Sequence, residues 1–184
     1  QDLANPPLGP EPGFRAMSGG WFDYDRDGWV DLYVCHMVLN SGGDISNRDR
    51  LYRNKGDGTF EDATAQSGVD HGNDPMSFRP CLVFTGAHLD NDLWPDIYAV
   101  NVHDPSPLHH DFYMRNNGNG TFTDVTSQSP GLGDDAGSGM GMDVADINRD
   151  GNWDIYISDV FNTSNDALPL GNAFYLGTGN GRFS

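Results

Sequence analysis

The chain has 184 residues and a formal net charge of −17, because 27 Asp and Glu residues outnumber 10 Lys and Arg residues. Phosphate binding needs clustered Lys and Arg, so nucleic acid is not an expected partner. Hydrophobic residues make up 36% of the chain, which excludes a disordered acidic tail. No apolar run approaches the roughly 20 residues of a membrane helix, so no transmembrane segment is expected. The length predicts one domain or part of one, and frequent Gly and Pro suit an all-β protein.

The first predicted element is a strand that leads into the acidic stretch "FDYDRDGWVDLYV". Four carboxylates in nine residues repel one another unless a cation holds them together. Ca²⁺ takes six to eight oxygen ligands from such a loop, and Gly28 at position 6 permits the sharp turn. An EF-hand is disfavoured, because Val34 stands at its Glu position and both flanks resemble strands. We predict a calcium site made by the side chains of Asp23, Asp25, Asp27 and Asp31 with the Trp29 carbonyl.

Three more strands complete the first unit. The run "DLYVCHM" alternates apolar and polar residues as strands do. The segments "LYR" and "TFEDAT" follow, and Asp57-Gly58 lies between them, which is a strong cue for a tight hairpin. The sequence therefore predicts a four-stranded antiparallel unit with the acidic loop between strands one and two. In such a unit the acidic loop and the "GDG" turn lie at the same edge.

The unit occurs three times, about 60 residues apart, in the same order. The acidic stretch recurs as "AHLDNDLWPDIYAV" and "VADINRDGNWDIYIS", and the hairpin recurs as "NNGNGTF" and "GTGNGRF". Four-stranded repeats of this period are typical of β-propeller blades. We predict one partial propeller over residues 1–184, with blades at about 13–64, 78–126 and 137–184.

The three acidic loops are unequal. The third loop has a full set of oxygen donors, with Gly151 at position 6; the expected ligands are Asp146, Asn148, Asp150, Asp154 and the Asn152 carbonyl. The middle loop has His88 at position 1 and Leu93 at position 6. A neutral imidazole is a poor Ca²⁺ ligand, and Leu is a poor residue for positive φ. We therefore predict two calcium sites and a third, weaker one at Asp90, Asp92, Asp96 and the Trp94 carbonyl. Alternatively, His88 is structural or recruits a softer metal.

The pattern D-x-D-x-D-G-x-x-D, followed by "LYV" and "LYRNxGDGTFxDVT", resembles the FG-GAP and VCBS repeats. These repeats build the integrin α-subunit propeller and the cartilage acidic protein and UnbV-like group. The resemblance implies a calcium-binding, extracellular or secreted propeller of about seven blades, with the cell surface and the periplasm as alternatives. Three blades do not close a ring, so we expect further blades or copies of the chain to cover its open ends.

Function is expected at the edge opposite the acidic loops, because long irregular loops on a rigid frame often carry binding. These loops are residues 36–50, 101–111 and 159–172, with the blade joins 65–79 and 127–139. The leading hypothesis is a recognition or adhesion module for a protein or glycan ligand, with structural calcium. The alternatives are a subunit of a self-assembling array and part of a polysaccharide lyase or dehydratase-like enzyme. No nucleophile, phosphate-loop, zinc or dinucleotide motif is found, so no catalytic residue is predicted.

Several single residues have open interpretations. Cys35 and Cys81 form one disulfide or remain two thiols, and two buried small side chains is the simpler interpretation. The sequon at Asn119 follows from the repeat, whereas Asn162 lies in a long loop and is a glycosylation candidate in a eukaryotic secreted protein. Five histidines fall in or beside the long loops, and solvated side chains are the simpler expectation for them: His36, His71, His103, His109 and His110.

Overall fold

The computed structural model describes residues 16–36, 49–70, 81–101, 111–129, 132, 139–159 and 171–184. These residues form eleven strands and two short helical turns. The strands are β1 Ala16–Phe22, β2 Asp31–His36, β3 Arg50–Asn54, β4 Phe60–Asp62, β5 Cys81–Ala87, β6 Asp96–Asn101, β7 Phe112–Asn116, β8 Phe122–Asp124, β9 Gly139–Ala145, β10 Asp154–Asp159 and β11 Ala173–Tyr175. Helix α1 spans Thr64–Ser67, and a 3₁₀ turn spans Thr126–Gln128.

The strands form three antiparallel sheets in chain order, β1-β2-β3-β4, β5-β6-β7-β8 and β9-β10-β11. The prediction of an all-β chain with four-stranded antiparallel units is confirmed for the first two sheets. In the third, three strands pair and a short hairpin follows β11, where Gly177 and Phe183 form a β-bridge and Leu176 and Ser184 exchange two backbone hydrogen bonds at 3.0 Å.

The fourth strands are shorter than "TFEDAT" and "TFTDVT" predict. Each ends at an Asp whose side chain accepts the backbone N–H two residues on. The N–H of Thr64 donates to Asp62 at 2.9 Å, and that of Thr126 donates to Asp124 at 3.0 Å. Such Asp turns compete with strand pairing, so a helical turn begins at the Thr instead of further strand.

The core lies between neighbouring sheets, and β6 shows why. All six of its residues are buried. Ile97 and Ala99 belong to the cluster shared with the first sheet, whereas Tyr98 and Val100 belong to the cluster shared with the third. Successive side chains of a strand point to opposite faces, so the middle sheet has two buried faces. The first strands β1, β5 and β9 lie side by side, an arrangement typical of propeller blades.

Cys35 and Cys81 form a disulfide between β2 of the first sheet and β5 of the second. Both residues are fully buried, and their Cα atoms lie 5.1 Å apart. The simpler interpretation of two separate buried thiols is therefore wrong. The cysteines meet because the first two sheets pack face to face, which spacing along the chain does not reveal.

Candidate metal centre

The first acidic loop gathers three carboxylates at the edge of the first sheet. Asp23, Asp25 and Asp27 each place one carboxylate oxygen within 4.8 Å of those of the other two. Asp23 also shapes the loop, because its oxygens accept the N–H groups of Asp27 at 3.1 Å and Gly28 at 3.0 Å. Gly28 has φ 90, the left-handed conformation expected at position 6. The loop thus presents oxygen ligands of the kind that Ca²⁺ prefers.

The position 9 carboxylate plays a different part in the structure. Asp31 is fully buried, and its oxygens accept the N–H groups of Tyr24 at 3.1 Å and Asn54 at 2.8 Å. Burial raises the pKa of Asp31 to about 6. It therefore joins the acidic loop to β3, and it does not belong to the cluster of Asp23, Asp25 and Asp27.

Among the described residues, position 9 is also hydrogen-bonded in the other two repeats, but only Asp154 of the third also accepts an N–H from its own loop. Asp154 accepts the N–H groups of Ile147 at 3.0 Å and Gly177 at 2.9 Å. Asp96 accepts the N–H of Asn116 and the hydroxyl hydrogen of Tyr113, each at 2.8 Å. Burial raises the pKa of Asp96 to about 7. Position 9 thus secures each loop to the third strand of its own sheet or, in the third repeat, to the residues that follow it.

The third loop repeats the hydrogen bonds of the first. Asp146 accepts the N–H groups of Asp150 and Gly151, both at 3.0 Å, and the Asn148 side-chain oxygen accepts that of Asp150 at 2.9 Å. Gly151 has φ 88, close to the value in the first loop. The predicted donors of the third loop are therefore held in the same local arrangement as those of the first.

The middle loop has a different backbone. At position 6 Leu93 does not adopt the positive φ of Gly28 and Gly151, whereas position 4 has positive φ in all three loops, at Arg26, Asn91 and Arg149. His88 is exposed and does not accept the two N–H bonds that the position 1 aspartates accept. The hydrogen bonds of positions 3 and 5 are kept. Asp90 accepts the N–H of Asp92 at 3.1 Å, and Asp92 accepts that of Trp94 at 2.6 Å. Burial raises the pKa of the Asp90 carboxyl.

Position 7, predicted to supply a carbonyl ligand, also links loop and hairpin through its side chain. A Cβ atom on Gly56 would lie 2.6 Å from Nε1 of Trp29, and one on Gly118 would lie 2.7 Å from Nε1 of Trp94. In the third repeat Asn152 approaches Gly179 in the same way, at 3.0 Å. The first glycine of each hairpin turn is therefore required by close contact as well as by its positive φ.

The Gly56→Ala substitution is expected to destabilise the protein by about 2 kcal/mol, since it combines positive φ with a clash against the Trp29 ring. Gly58→Ala is the matched control, because Gly58 has φ 85 but an added Cβ would meet no atom within 4 Å. Urea unfolding of the two variants measures the contact separately from the backbone strain. Equal losses in both variants would show that the Trp29 contact contributes nothing.

Arg53 is a site residue that the sequence patterns did not predict. Its Nε donates to Asp25 at 2.5 Å, one Nη donates to Asp27 at 2.6 Å, and the other lies 3.6 Å from Glu61. The hydrogen bond to Asp25 raises the pKa of Arg53 further. A guanidinium thus compensates the carboxylates of the first loop. The repeat alignment contains a signal for this residue, because Arg115 is at the equivalent position before the second hairpin. The third repeat differs and has Leu176 there.

Two further acidic residues that were not predicted form hydrogen bonds at the edge opposite the acidic loops. Asp49 accepts the hydroxyl hydrogen of Tyr33 and the N–H of His36, both at 2.8 Å. Asp111 accepts the equivalent groups of Tyr98 and Asn101 at 3.0 and 2.9 Å. His36 is buried, so the expectation of a solvated loop histidine is wrong for it.

Several predicted features lie outside the described residues. These are the greater part of the long loops predicted to bind a ligand, Asn162, and the four histidines His71, His103, His109 and His110. Asn119 is described and exposed in its turn, where it accepts the N–H of Thr121 at 3.1 Å. Among the described residues, no helix is long and apolar enough to cross a membrane.

Comparison with known families identifies the repeat. The model of the FG-GAP-like repeat matches residues 23–81 and 88–157, more than half of the chain. Each match begins at position 1 of an acidic loop, at Asp23 and His88, so the family repeat has the same phase as the motifs described above. No curated protein matches the chain in sequence. Repeats of this family are typical of extracellular recognition modules rather than enzymes. The chain belongs to the FG-GAP-like repeat family.

Proposed function

We propose that this protein is an extracellular recognition module whose blades are stabilised by structural calcium ions in the first and third acidic loops. The observation that carries the proposal is the convergence of Asp23, Asp25 and Asp27 within 4.8 Å of one another. The third loop strengthens it, because the same hydrogen bonds orient Asp146 and its neighbours. Arg53 compensates part of the repulsion among these three carboxylates, and a bound cation would compensate more of it.

The donor chemistry fits Ca²⁺ better than a softer metal. The predicted ligands in both loops are oxygens, which suit Ca²⁺, whereas softer metals favour thiolate or imidazole. Bound calcium would offset two negative charges of each loop and fix the first two strands of the blade. In the first loop the side chains of Asp23, Asp25, Asp27 and Asp31 and the Trp29 carbonyl would hold it. In the third loop these roles fall to Asp146, Asn148, Asp150, Asp154 and the Asn152 carbonyl.

The middle loop is proposed as a weaker third site. Asp90, Asp92 and Asp96 remain as acidic donors, with the Trp94 carbonyl. Within the described part of the chain, however, they do not form a cluster of three close carboxylates as the first loop does. The loss of the position 1 carboxylate at His88 and of the glycine at Leu93 accounts for the difference.

An extracellular location is supported by the disulfide. Disulfides form and persist in oxidising compartments and are rare in the cytosol. The Cys35–Cys81 bond is buried between two sheets, where it has a structural position. We propose recognition of a protein or glycan ligand by the long loops at the opposite edge, and no catalytic role for the calcium ions.

Calorimetric titration tests the calcium assignment. The native chain is expected to bind two calcium ions tightly and a third more weakly. Asp23→Ala should remove one tight site and Asp146→Ala the other, while Asp57→Ala is the control, because Asp57 is an exposed residue of the neighbouring turn. Three equally tight sites, or no calcium binding, would contradict the proposal.

A second candidate role is assembly through the outer faces of the end sheets, by further blades or by copies of the chain. Tyr156 and Phe174 pair across β10 and β11 and are 41% and 47% exposed. Tyr98, the equivalent of Tyr156 in the middle sheet, is fully buried beneath the third sheet. A further sheet would cover Tyr156 in the same way.

Sedimentation of the 184-residue chain at micromolar concentration tests this role. Self-association is the expected result if copies cover the open faces, and Tyr156→Ser/Phe174→Ser should reduce it. A monomer at all concentrations would exclude self-association and leave further blades as the covering element.

A further inference from the structure

A cavity of about 580 Å³ lies between the second and third sheets, at the edge that carries the acidic loops. Its walls come from Asp90, from β7, from the segment after β8, and from the hairpin turn 178–182 of the third repeat. Cavities of this size commonly hold small ligands such as one or two sugar rings. Apart from Gln128 and Ser129, which begin the blade join 127–139, its lining residues lie outside the long loops where recognition was proposed above.

Two arginines line this cavity, Arg115 from β7 and Arg182 from the third hairpin. The whole chain has only 10 Lys and Arg residues, so two in one cavity run against its composition. Neither arginine forms a salt bridge within the described ranges, although Asp90 lies close enough to Arg115 to feel its charge. Exposed arginines at a concave surface are well suited to bind an anionic group.

The junction between the first and second sheets provides an internal comparison. There the equivalent arginine, Arg53, is already compensated by Asp25, Asp27 and Glu61. Glu61 pairs with Arg53 across β3 and β4. The first junction therefore places three acidic residues around its arginine, and that guanidinium is already occupied.

At the second junction two substitutions reverse this balance. Thr123 pairs with Arg115 where Glu61 pairs with Arg53. Arg182 stands where the second hairpin has Thr121, as the matching bonds from Thr178 to Arg182 and from Asn117 to Thr121 show. Relative to the first junction, the second therefore has one acidic residue fewer and one basic residue more. The second junction is therefore less negative than the first around its arginine.

The turn that carries Arg182 is held against buried structure. A Cβ on Gly181 would lie 2.8 Å from the Tyr113 hydroxyl, so the turn rests directly on that ring. The hydroxyl itself donates to buried Asp96. Arg182 is thus presented from a fixed backbone, which reduces the entropy lost when a ligand binds.

We propose that this cavity binds a carboxylated sugar, with its carboxylate held by Arg115 and Arg182. A guanidinium binds a carboxylate through two parallel hydrogen bonds, and two guanidinium groups can share one anionic group. The sugar hydroxyls would meet Gln128, Ser129 and Thr178, whose side chains supply polar partners on the remaining wall. This polar wall favours a sugar over an apolar acid such as a fatty acid.

Digalacturonate is a suitable probe, and its methyl ester is the matched neutral control. Calorimetric titration of the full chain should detect digalacturonate binding, with the ester about tenfold weaker or more. Arg115→Gln and Arg182→Thr should each weaken binding by about tenfold or more. Arg182→Thr restores the residue of the second repeat, and Lys55→Gln, at an exposed basic residue of the first hairpin, should leave the affinity unchanged.

The titration is run in chelator and again in calcium, so that failure of the calcium proposal does not affect its outcome. Circular dichroism of each variant confirms folding. No digalacturonate binding at millimolar concentration, or equal binding of acid and ester, would overturn the proposal. Equal affinity for sulfate or for an Asp tripeptide would also overturn it, because the cavity would then select charge without selecting a sugar. Unchanged affinity in both arginine variants would place binding elsewhere.

Discussion

Transfer from calcium to a chelator is expected to lower the unfolding temperature substantially. A ligand present at 100 times its dissociation constant stabilises the folded state by about 2.7 kcal/mol per site. Chelation removes that free energy at two loops and restores the repulsion among Asp23, Asp25 and Asp27 that Arg53 does not compensate. Thermal unfolding followed by circular dichroism measures the shift.

The first and third loops should respond unequally to chelation. Arg53 donates to Asp25 and Asp27 and compensates the first loop without metal, whereas Leu176 occupies the equivalent place in the third repeat. Amide exchange should therefore accelerate more in the third loop than in the first when calcium is removed. The variant Arg53→Gln should abolish this difference.

Two results would contradict this account. Identical melting curves in calcium and in chelator would exclude structural calcium altogether. If Asp57→Ala lowered the melting temperature in calcium as much as Asp23→Ala, the effect of Asp23→Ala would reflect lost charge near the edge and not a lost ligand. Asp57 is a fair comparison, because the hydrogen bonds that it accepts come from Thr59 of its own turn.

The features that the sequence predicted correctly are local ones. Strand alternation and the Asp57-Gly58 turn depend on neighbouring residues, and each recurs at the same place in the repeat, which chance matches do not do. The different backbone at Leu93 was expected on the same basis, since a missing glycine changes the conformation of its own loop. Local errors remained where two local preferences compete, as at Asp62 and Asp124, where a side chain ends the strand.

The features that the sequence did not predict depend on contacts between distant segments. Arg53 reaches Asp25 across 28 residues, and Asp49 reaches Tyr33 across 16. The sequence pattern places Arg53 at a strand end and Asp49 in a loop. Only the register of the strands brings these two residues to their partners. The cavity between the second and third sheets depends on residues that lie even further apart in the sequence, because Arg115 and Arg182 belong to different repeats. Comparing equivalent positions between repeats, as with Glu61 and Thr123, is the signal that would have exposed it.

Loss of the disulfide is expected to have an effect as large as the loss of calcium. Cys35 and Cys81 are separated by 46 residues, and closing a loop of this length in the unfolded chain stabilises the folded state by about 4 kcal/mol. The bond also joins β2 to β5 and so connects two sheets that otherwise meet through side-chain packing and polar contacts such as the hydrogen bond from Asn116 to the Tyr24 carbonyl. The double variant Cys35→Ala/Cys81→Ala should therefore unfold at a clearly lower urea concentration than the oxidised protein.

A reducing agent supplies the matched control for this prediction. Reduction should shift the urea midpoint of the native chain toward that of Cys35→Ala/Cys81→Ala and leave the midpoint of the double variant unchanged. Both experiments are run in calcium, so that the two sources of stability stay separate. Equal midpoints for the oxidised protein and the double variant would show that packing of the first two sheets, around residues such as Tyr33 and Phe84, holds them together without the bond.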